Sequence, residues 1–107
     1  MDYKIIWSDF AVQQLEVIFE YYTQKVSSEI AQKIVLQILE QIKILGRNPF
    51  IGKKEELLSK RKEVYRCFIV SNYKIIYFVD KRNTYVKIAD IIDTRQILSI
   101  KCRLMKL

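Results

Sequence analysis

With 107 residues, half of them hydrophobic, and only two glycines and one proline, the chain has apolar material for one compact core and too little for two. A single domain over residues 1–107 is expected, and that apolar content excludes a disordered chain, because burial offsets the entropy of ordering. The net charge of +7 directs attention to nucleic acid, ribosomes or an acidic protein as partner.

The opening Tyr3-Lys4-Ile5-Ile6-Trp7 is rich in β-branched and aromatic residues and runs into Ser8-Asp9, a good helix N-cap pair. It reads as a strand followed by a helix. Ala11, Leu15, Ile18 and Tyr22 recur at helical spacing, which predicts an amphipathic helix with that stripe turned to the core. A second N-cap stands at Ser27-Ser28, after which Ala31, Ile34, Val35, Ile38, Ile42 and Leu45 form another stripe. Gly46 and Asn48-Pro49 end that helix, and so short a link makes the two helices antiparallel neighbours.

Residues 46–62 mix turn formers with charges of both signs and read as a loop, with a short helical turn over Glu55 to Ser59. Three β-rich runs follow, Val64 to Val70, Tyr73 to Val79 and Thr84 to Ile92. Ser71-Asn72 and Asp80-Lys81-Arg82-Asn83 separate them at hairpin length. The fold class is therefore α+β, in the order β-α-α-β-β-β, with a helical hairpin on a small antiparallel sheet. Both faces of the strands are largely apolar, so the side away from the helices must also be protected. Arg66 and Lys74 stand out as basic intruders there, and alternation favours their clustering.

No run of the chain approaches the roughly 20 apolar residues of a membrane span, and residues 1–7 lack the long apolar core of a signal peptide. A cytoplasmic protein without a membrane partner is expected. Cys67 and Cys102, with no histidine anywhere, make neither a disulfide framework nor a zinc site. No metal or cofactor is expected, and Cys67 reads as a small core residue.

Charge is unevenly spread. Residues 1–46 hold four Lys/Arg against six Asp/Glu, whereas residues 47–107 hold fifteen against six. The partner-facing surface is expected in the second part, on Lys53, Lys54, Lys60, Arg61 and Lys62 of the loop and Lys101 and Arg103 of the tail. Each of these is equally well read as a solvated surface residue. The tail from Ile97 to Leu107 alternates apolar and basic residues, which suits a last strand or turn, or the seat of a partner.

In order and spacing, Trp7-Ser8, Leu45 to Asn48-Pro49, Gly52, Tyr65-Arg66, Asn72-Tyr73-Lys74-Ile75-Ile76-Tyr77, Val79-Asp80 and Asp93-Thr94-Arg95-Gln96 resemble the RelE/ParE toxins of plasmid stabilisation systems. The resemblance spans nearly the whole chain. It implies the toxin of a type II toxin-antitoxin pair, a growth inhibitor neutralised by a cognate acidic antitoxin that wraps it. RelE-like members enter the ribosome and cut messenger RNA; ParE-like members block DNA gyrase and are not hydrolases.

Cutting RNA through its own 2′-hydroxyl requires a proton acceptor, cations and a proton donor at one place. The resemblance sets Arg66, Lys74 and Arg95 at the positions of basic residues in RNA-cutting relatives, as candidate catalytic, phosphate or target contacts. An arginine steadies phosphate but is a poor base. The late tyrosine or histidine of those relatives has no counterpart in Gln96-Ile97-Leu98-Ser99-Ile100-Lys101. Tyr65, Tyr73, Tyr77 or Tyr85, or a neutral Lys74, would have to replace it, although tyrosines in an apolar sheet ordinarily serve packing. The expected function is accordingly ParE-like and directed at gyrase. The alternatives are a RelE-like ribosome-dependent endoribonuclease and a basic nucleic-acid-binding module without toxicity. Arg66, Lys74 and Arg95 are equally open to ion pairing with Asp80, Asp90 or Asp93.

Overall fold

The computed structural model describes residues 2–95, so Lys101, Arg103, Cys102 and the tail from Ile97 lie outside the described residues. Strand β1 (Lys4–Trp7) leads into helix α1 (Asp9–Lys25) and then helix α2 (Ser28–Arg47). Strand β2 (Lys53–Lys54), a 3-10 turn at Glu56–Leu58, and strands β3 (Tyr65–Val70), β4 (Tyr73–Asp80) and β5 (Tyr85–Asp93) complete the described chain. Among the described residues no helix is long and apolar enough to cross a membrane.

Both helices begin where the serines place them. Ser8 Oγ accepts from the Ala11 amide at 3.0 Å and donates to the Ala89 carbonyl at 3.0 Å, so one hydroxyl caps α1 and ties it to β5. Ser27 caps α2 through the Ile30 amide. The helix runs past Gly46 and ends at Arg47, with Gly46 lying against the start of β1. The Tyr3 amide donates to the Gly46 carbonyl at 2.7 Å, and a Cβ on Gly46 would stand 3.0 Å from the Tyr3 carbonyl oxygen. The small residue lets the start of β1 approach the helix closely.

The sheet has the order β1-β5-β4-β3-β2. It is mixed rather than antiparallel throughout, since β1 pairs with β5 in parallel, Lys4 opposite Tyr85 and Trp7 opposite Ile88. The two helices between β1 and the later strands supply the long crossover that parallel pairing needs. The loop expected over residues 46–62 contributes β2, whose two residues pair with Cys67 and Arg66. Between β4 and β5 the register shifts by one residue, so that Ile76 faces Asp90 and Tyr77 faces Ile88. This β-bulge leaves Ala89 as the extra residue.

The main core lies between helices and sheet. Ala11, Ile18, Ile38, Ile42 and Leu45 meet Val70, Tyr73, Ile75, Tyr77, Val86, Ile88 and Ile91, with Leu15, Tyr22 and Ile34 packed alongside. A second cluster on the opposite face joins Cys67, Ile76, Ala89 and Ile92 under Leu58 of the 3-10 turn. The charged loop thus covers the centre of the second apolar face, while Ile69 at its edge stays exposed. This answers how strands greasy on both sides avoid exposing most of one of them.

Candidate functional site

The three cations expected to act together are held apart. The two-residue turn Ser71-Asn72 pairs Val70 with Tyr73, which fixes Arg66 opposite Tyr77 and Ile69 opposite Lys74. Side chains directly opposite share a face, so Arg66 stands with Tyr77 on the helix side and Lys74 with Ile69 on the other. The expected clustering of Arg66 with Lys74 is therefore incorrect. Arg95 follows the end of β5, where Asp93 faces Tyr73.

Arg66 is built into the turn after α2. Its Nη1 donates to the Gly52 carbonyl at 2.8 Å, and its guanidinium lies 5.0 Å from the centre of the Phe50 ring. Lys81, from the hairpin turn after β4, lies over the same ring at 5.1 Å. Phe50 is itself set by edge-to-face contact with Tyr3, ring centres 6.4 Å apart. The turn is anchored from below by Tyr77, whose hydroxyl accepts from the Gly52 amide at 2.9 Å and donates to the Pro49 carbonyl at 2.9 Å.

Lys74 forms an ion pair with Glu55, at 2.5 Å between Nζ and Oε2, on the face under the 3-10 turn. Glu55 is only 6% exposed, its Oε1 accepting from the Leu57 amide while its Oε2 is ion-paired with the lysine. The option of a neutral Lys74 in an apolar pocket therefore meets a carboxylate instead. Glu55 was not among the residues singled out by sequence. Its signal was an acidic residue amid a lysine-rich loop, which without the fold has no stated partner.

Arg95 grips Asp93 through Nε at 3.0 Å and Nη2 at 2.8 Å, while its backbone amide donates to Asp93 at 2.9 Å. The hydrogen bond from Arg95 holds the Asp93 carboxyl below its ordinary pKa and raises the guanidinium in turn, with Tyr22 adding to the latter. Of the acidic partners considered for the three cations, Asp93 is taken by Arg95. Asp80 instead accepts from the Asn83 amide and side chain at 2.9 and 3.0 Å, and Asp90 from the Ile91 amide at 2.7 Å.

The four tyrosines able in principle to handle protons have pKa values raised above 10.0, in each case first by loss of solvent. Tyr73 adds a hydrogen bond to the Tyr22 hydroxyl at 3.2 Å, and both hydroxyl valences of Tyr77 are spent on the turn. A phenol held neutral is a poor base at neutral pH. Burial likewise raises the Cys67 thiol and keeps it inert, in keeping with a core role.

Two clefts result. One lies between α1 and the end of β5, lined by Gln14, Val17, Tyr21, Tyr73, Asp93 and Arg95. The other lies at the opposite end of the sheet, where Lys54, Lys62, Arg66, Lys81 and Arg82 surround Phe50. Lys53, Lys54, Lys60, Arg61 and Lys62 are all exposed, but only Lys54 and Lys62 of these line that second cleft. Lys81 and Arg82, absent from the candidates drawn from sequence, belong with them. They sit in a hairpin turn, where charged residues are ordinary and carry no signal alone.

A family model described as "ParE toxin of type II toxin-antitoxin system, parDE" matches residues 5–98. Among solved structures, the chain is similar to one of the chromosomal ParDE toxin-antitoxin system from P. aeruginosa, at 22% identity over 85% of this chain and 95% of that one, with a TM-score of 0.70. It is similar to one of the archaeal RelE-RelB complex from Pyrococcus horikoshii OT3, at 18% identity over 88% and 97% of the two chains, with a TM-score of 0.62. Similarity also extends to the YoeB dimer from Staphylococcus aureus, at 28% identity over 84% and 94%, with a TM-score of 0.51. No curated protein sequence matches the chain.

Proposed function

Because the chain belongs to the ParE toxin family of type II toxin-antitoxin systems, we propose that it arrests growth by binding DNA gyrase without cutting nucleic acid, and that a cognate acidic antitoxin neutralises it. The observation that carries this reading is the dispersal of the catalytic candidates. Arg66 lies on one face of the sheet, Lys74 on the other, and Arg95 beyond the end of β5 in a bidentate grip on Asp93. Phosphoryl transfer from a 2′-hydroxyl needs its cations and proton carriers around one phosphate. The chain has no histidine, and Tyr77 is committed to the turn.

A protein partner suits what the surface offers. Val17 and Tyr21 of α1 are 57% and 50% exposed beside the cleft that Arg95 lines, which combines apolar contact with a cation. The ParDE and RelE-RelB systems similar to this chain pair a toxin with a second protein, which supports an antitoxin as the partner here. A net charge of +7 favours an acidic one.

One observation favours the second reading, a ribosome-dependent endoribonuclease. Glu55 beside Lys74 is a carboxylate next to a cation, the elements of a proton acceptor and a phosphate contact. Induced expression separates the two: plasmid supercoiling is measured and messenger RNA ends are mapped in the same cells. Altered supercoiling with unchanged ends is expected. Codon-phased cleavage with normal supercoiling would overturn the gyrase reading.

A further inference from the structure

The partner contact proposed above uses the cleft that Arg95 lines, and the cleft around Phe50 is a separate surface at the opposite end of the sheet. We propose that it binds single-stranded nucleic acid, holding phosphates on Lys54, Lys62, Lys81 and Arg82 and a base beside the Phe50 ring. The proposal rests on this cleft alone and stands whether or not gyrase is the target.

Charge is the first argument. Five cations line the cleft, Arg66 among them, against two carboxylates, Glu63 and Asp80. Asp80 turns its oxygens to the Asn83 amide and side chain at 2.9 and 3.0 Å, and with both carboxylates charged the cations still outnumber them five to two. The ion pairs of Lys74 with Glu55 and of Arg95 with Asp93 involve no cation of the cleft. Concentrated positive charge without matching acid is what a phosphate backbone seeks.

The aromatic ring is the second argument. Phe50 is 43% exposed, so part of its ring is open to a ligand, and its backbone is held in place. Pro49 and Gly52, on either side of it in the chain, are pinned to the Tyr77 hydroxyl, while Tyr3 holds the ring edge. The result is a rigid π surface with Arg66 at 5.0 Å and Lys81 at 5.1 Å. Arg66 and Lys81 lie over the ring itself, so a base would stack by taking the place of one of them while the displaced cation meets the adjoining phosphate. The carboxylates of an acidic peptide would use the cations but gain nothing from the ring, whereas every nucleobase has a face to stack on it. The cleft, roughly 570 Å³ and open, admits a few unpaired nucleotides.

The test uses the full chain with labelled oligothymidine and oligouridine of about ten nucleotides, read by fluorescence anisotropy from about 50 to 200 mM salt. Binding that weakens with salt is expected, and the two oligomers distinguish a DNA from an RNA preference. Lys81→Glu with Arg82→Glu, both exposed, should weaken binding at least tenfold. The same pair should flatten the slope of log affinity against log salt by roughly 1.4, about 0.7 per lost phosphate contact. Phe50→Ala should weaken binding by roughly tenfold and leave that slope unchanged, the signature of lost stacking. Lys33→Glu, on α2, should change neither. Circular dichroism confirms that each variant is folded; if the double variant is not, Lys62→Glu takes its place with half the slope change. Absence of binding at low salt, indifference to these substitutions, or tighter binding of a polyglutamate peptide than of either oligonucleotide would overturn the proposal.

Discussion

The Tyr77 hydroxyl accepts the Gly52 amide proton at 2.9 Å, bridging a strand residue to a turn 25 positions earlier. Through that bond and its donation to Pro49, the buried tyrosine fixes the segment that carries Phe50 and receives Arg66. Tyr77→Phe keeps the packing but leaves a buried amide and a buried carbonyl unpaired, and should cost about 2 kcal/mol or more in urea denaturation. Arg66 should lose its fixed position at the same time. A stability change within experimental error would show that water replaces the hydroxyl without loss.

Gly52 and Gly46 should respond differently to alanine. At Gly52 a Cβ would stand 2.5 Å from the Cys67 carbonyl oxygen and 2.6 Å from the Tyr77 hydroxyl, and the former is backbone that cannot swing aside. Gly52→Ala should destabilise by about 3 kcal/mol through overpacking. At Gly46 the nearest atom is 3.0 Å away, and alanine gains about 0.8–1.0 kcal/mol of helix propensity. Gly46→Ala should therefore fall within about 1 kcal/mol of the parent. Thermal unfolding of the two variants checks the order.

Glu55 and Lys74 form a pair in which one partner is nearly enclosed, the side chains being 5% and 19% exposed. Removing either charge alone strands the other in a poor solvent. Glu55→Leu should cost about 2–3 kcal/mol, below the range for a fully buried pair because the lysine keeps some access to water. Adding Lys74→Met should restore much of the loss. A double variant that is no more stable than Glu55→Leu would show that the two charges are not coupled.

Alkaline pH should unfold the protein through its tyrosines. Loss of solvent, with the Tyr22 hydroxyl next in size, raises the Tyr73 phenol well above 10.0. The unfolded chain therefore releases that proton first as pH climbs. Above about pH 10 the native state binds more protons than the unfolded one, so stability is full below that value and falls as pH rises beyond it. Denaturation midpoints across pH 7–12 should decline from about pH 10, and less steeply in Tyr73→Phe. An unchanged alkaline slope in that variant would place the effect elsewhere, Tyr77 being the next candidate.

The helices were legible because each part of their signal is local. Ser8 and Ser27 supply the caps, and the stripes from Ala11 to Tyr22 and Ala31 to Leu45 face the core as spaced. The hairpin strands were legible from β-branched runs and short turns, and Leu58 of the predicted helical turn is what covers the far face. Parallel pairing of β1 with β5 was not, since strand order depends on contacts 81 residues apart, such as Ser8 to Ala89. Lys53–Lys54 is too short for any periodicity. The placement of Arg66 and Lys74 is a different case. Alternation within each strand was read correctly, but faces on neighbouring strands are matched only by register, which the two-residue turn at Ser71-Asn72 sets. Carried across that turn, the same alternation would have put the two cations on opposite faces.

The central claim is that the chain acts by binding gyrase and does no chemistry on nucleic acid. Purified gyrase assayed for supercoiling with the purified chain tests it most directly, alongside messenger RNA on translating ribosomes incubated with the same preparation. Inhibited supercoiling, relieved by the cognate antitoxin, with the messenger RNA left intact is the expected result. Unimpaired gyrase together with ribosome-dependent cleavage that Glu55→Gln and Lys74→Met abolish would contradict it.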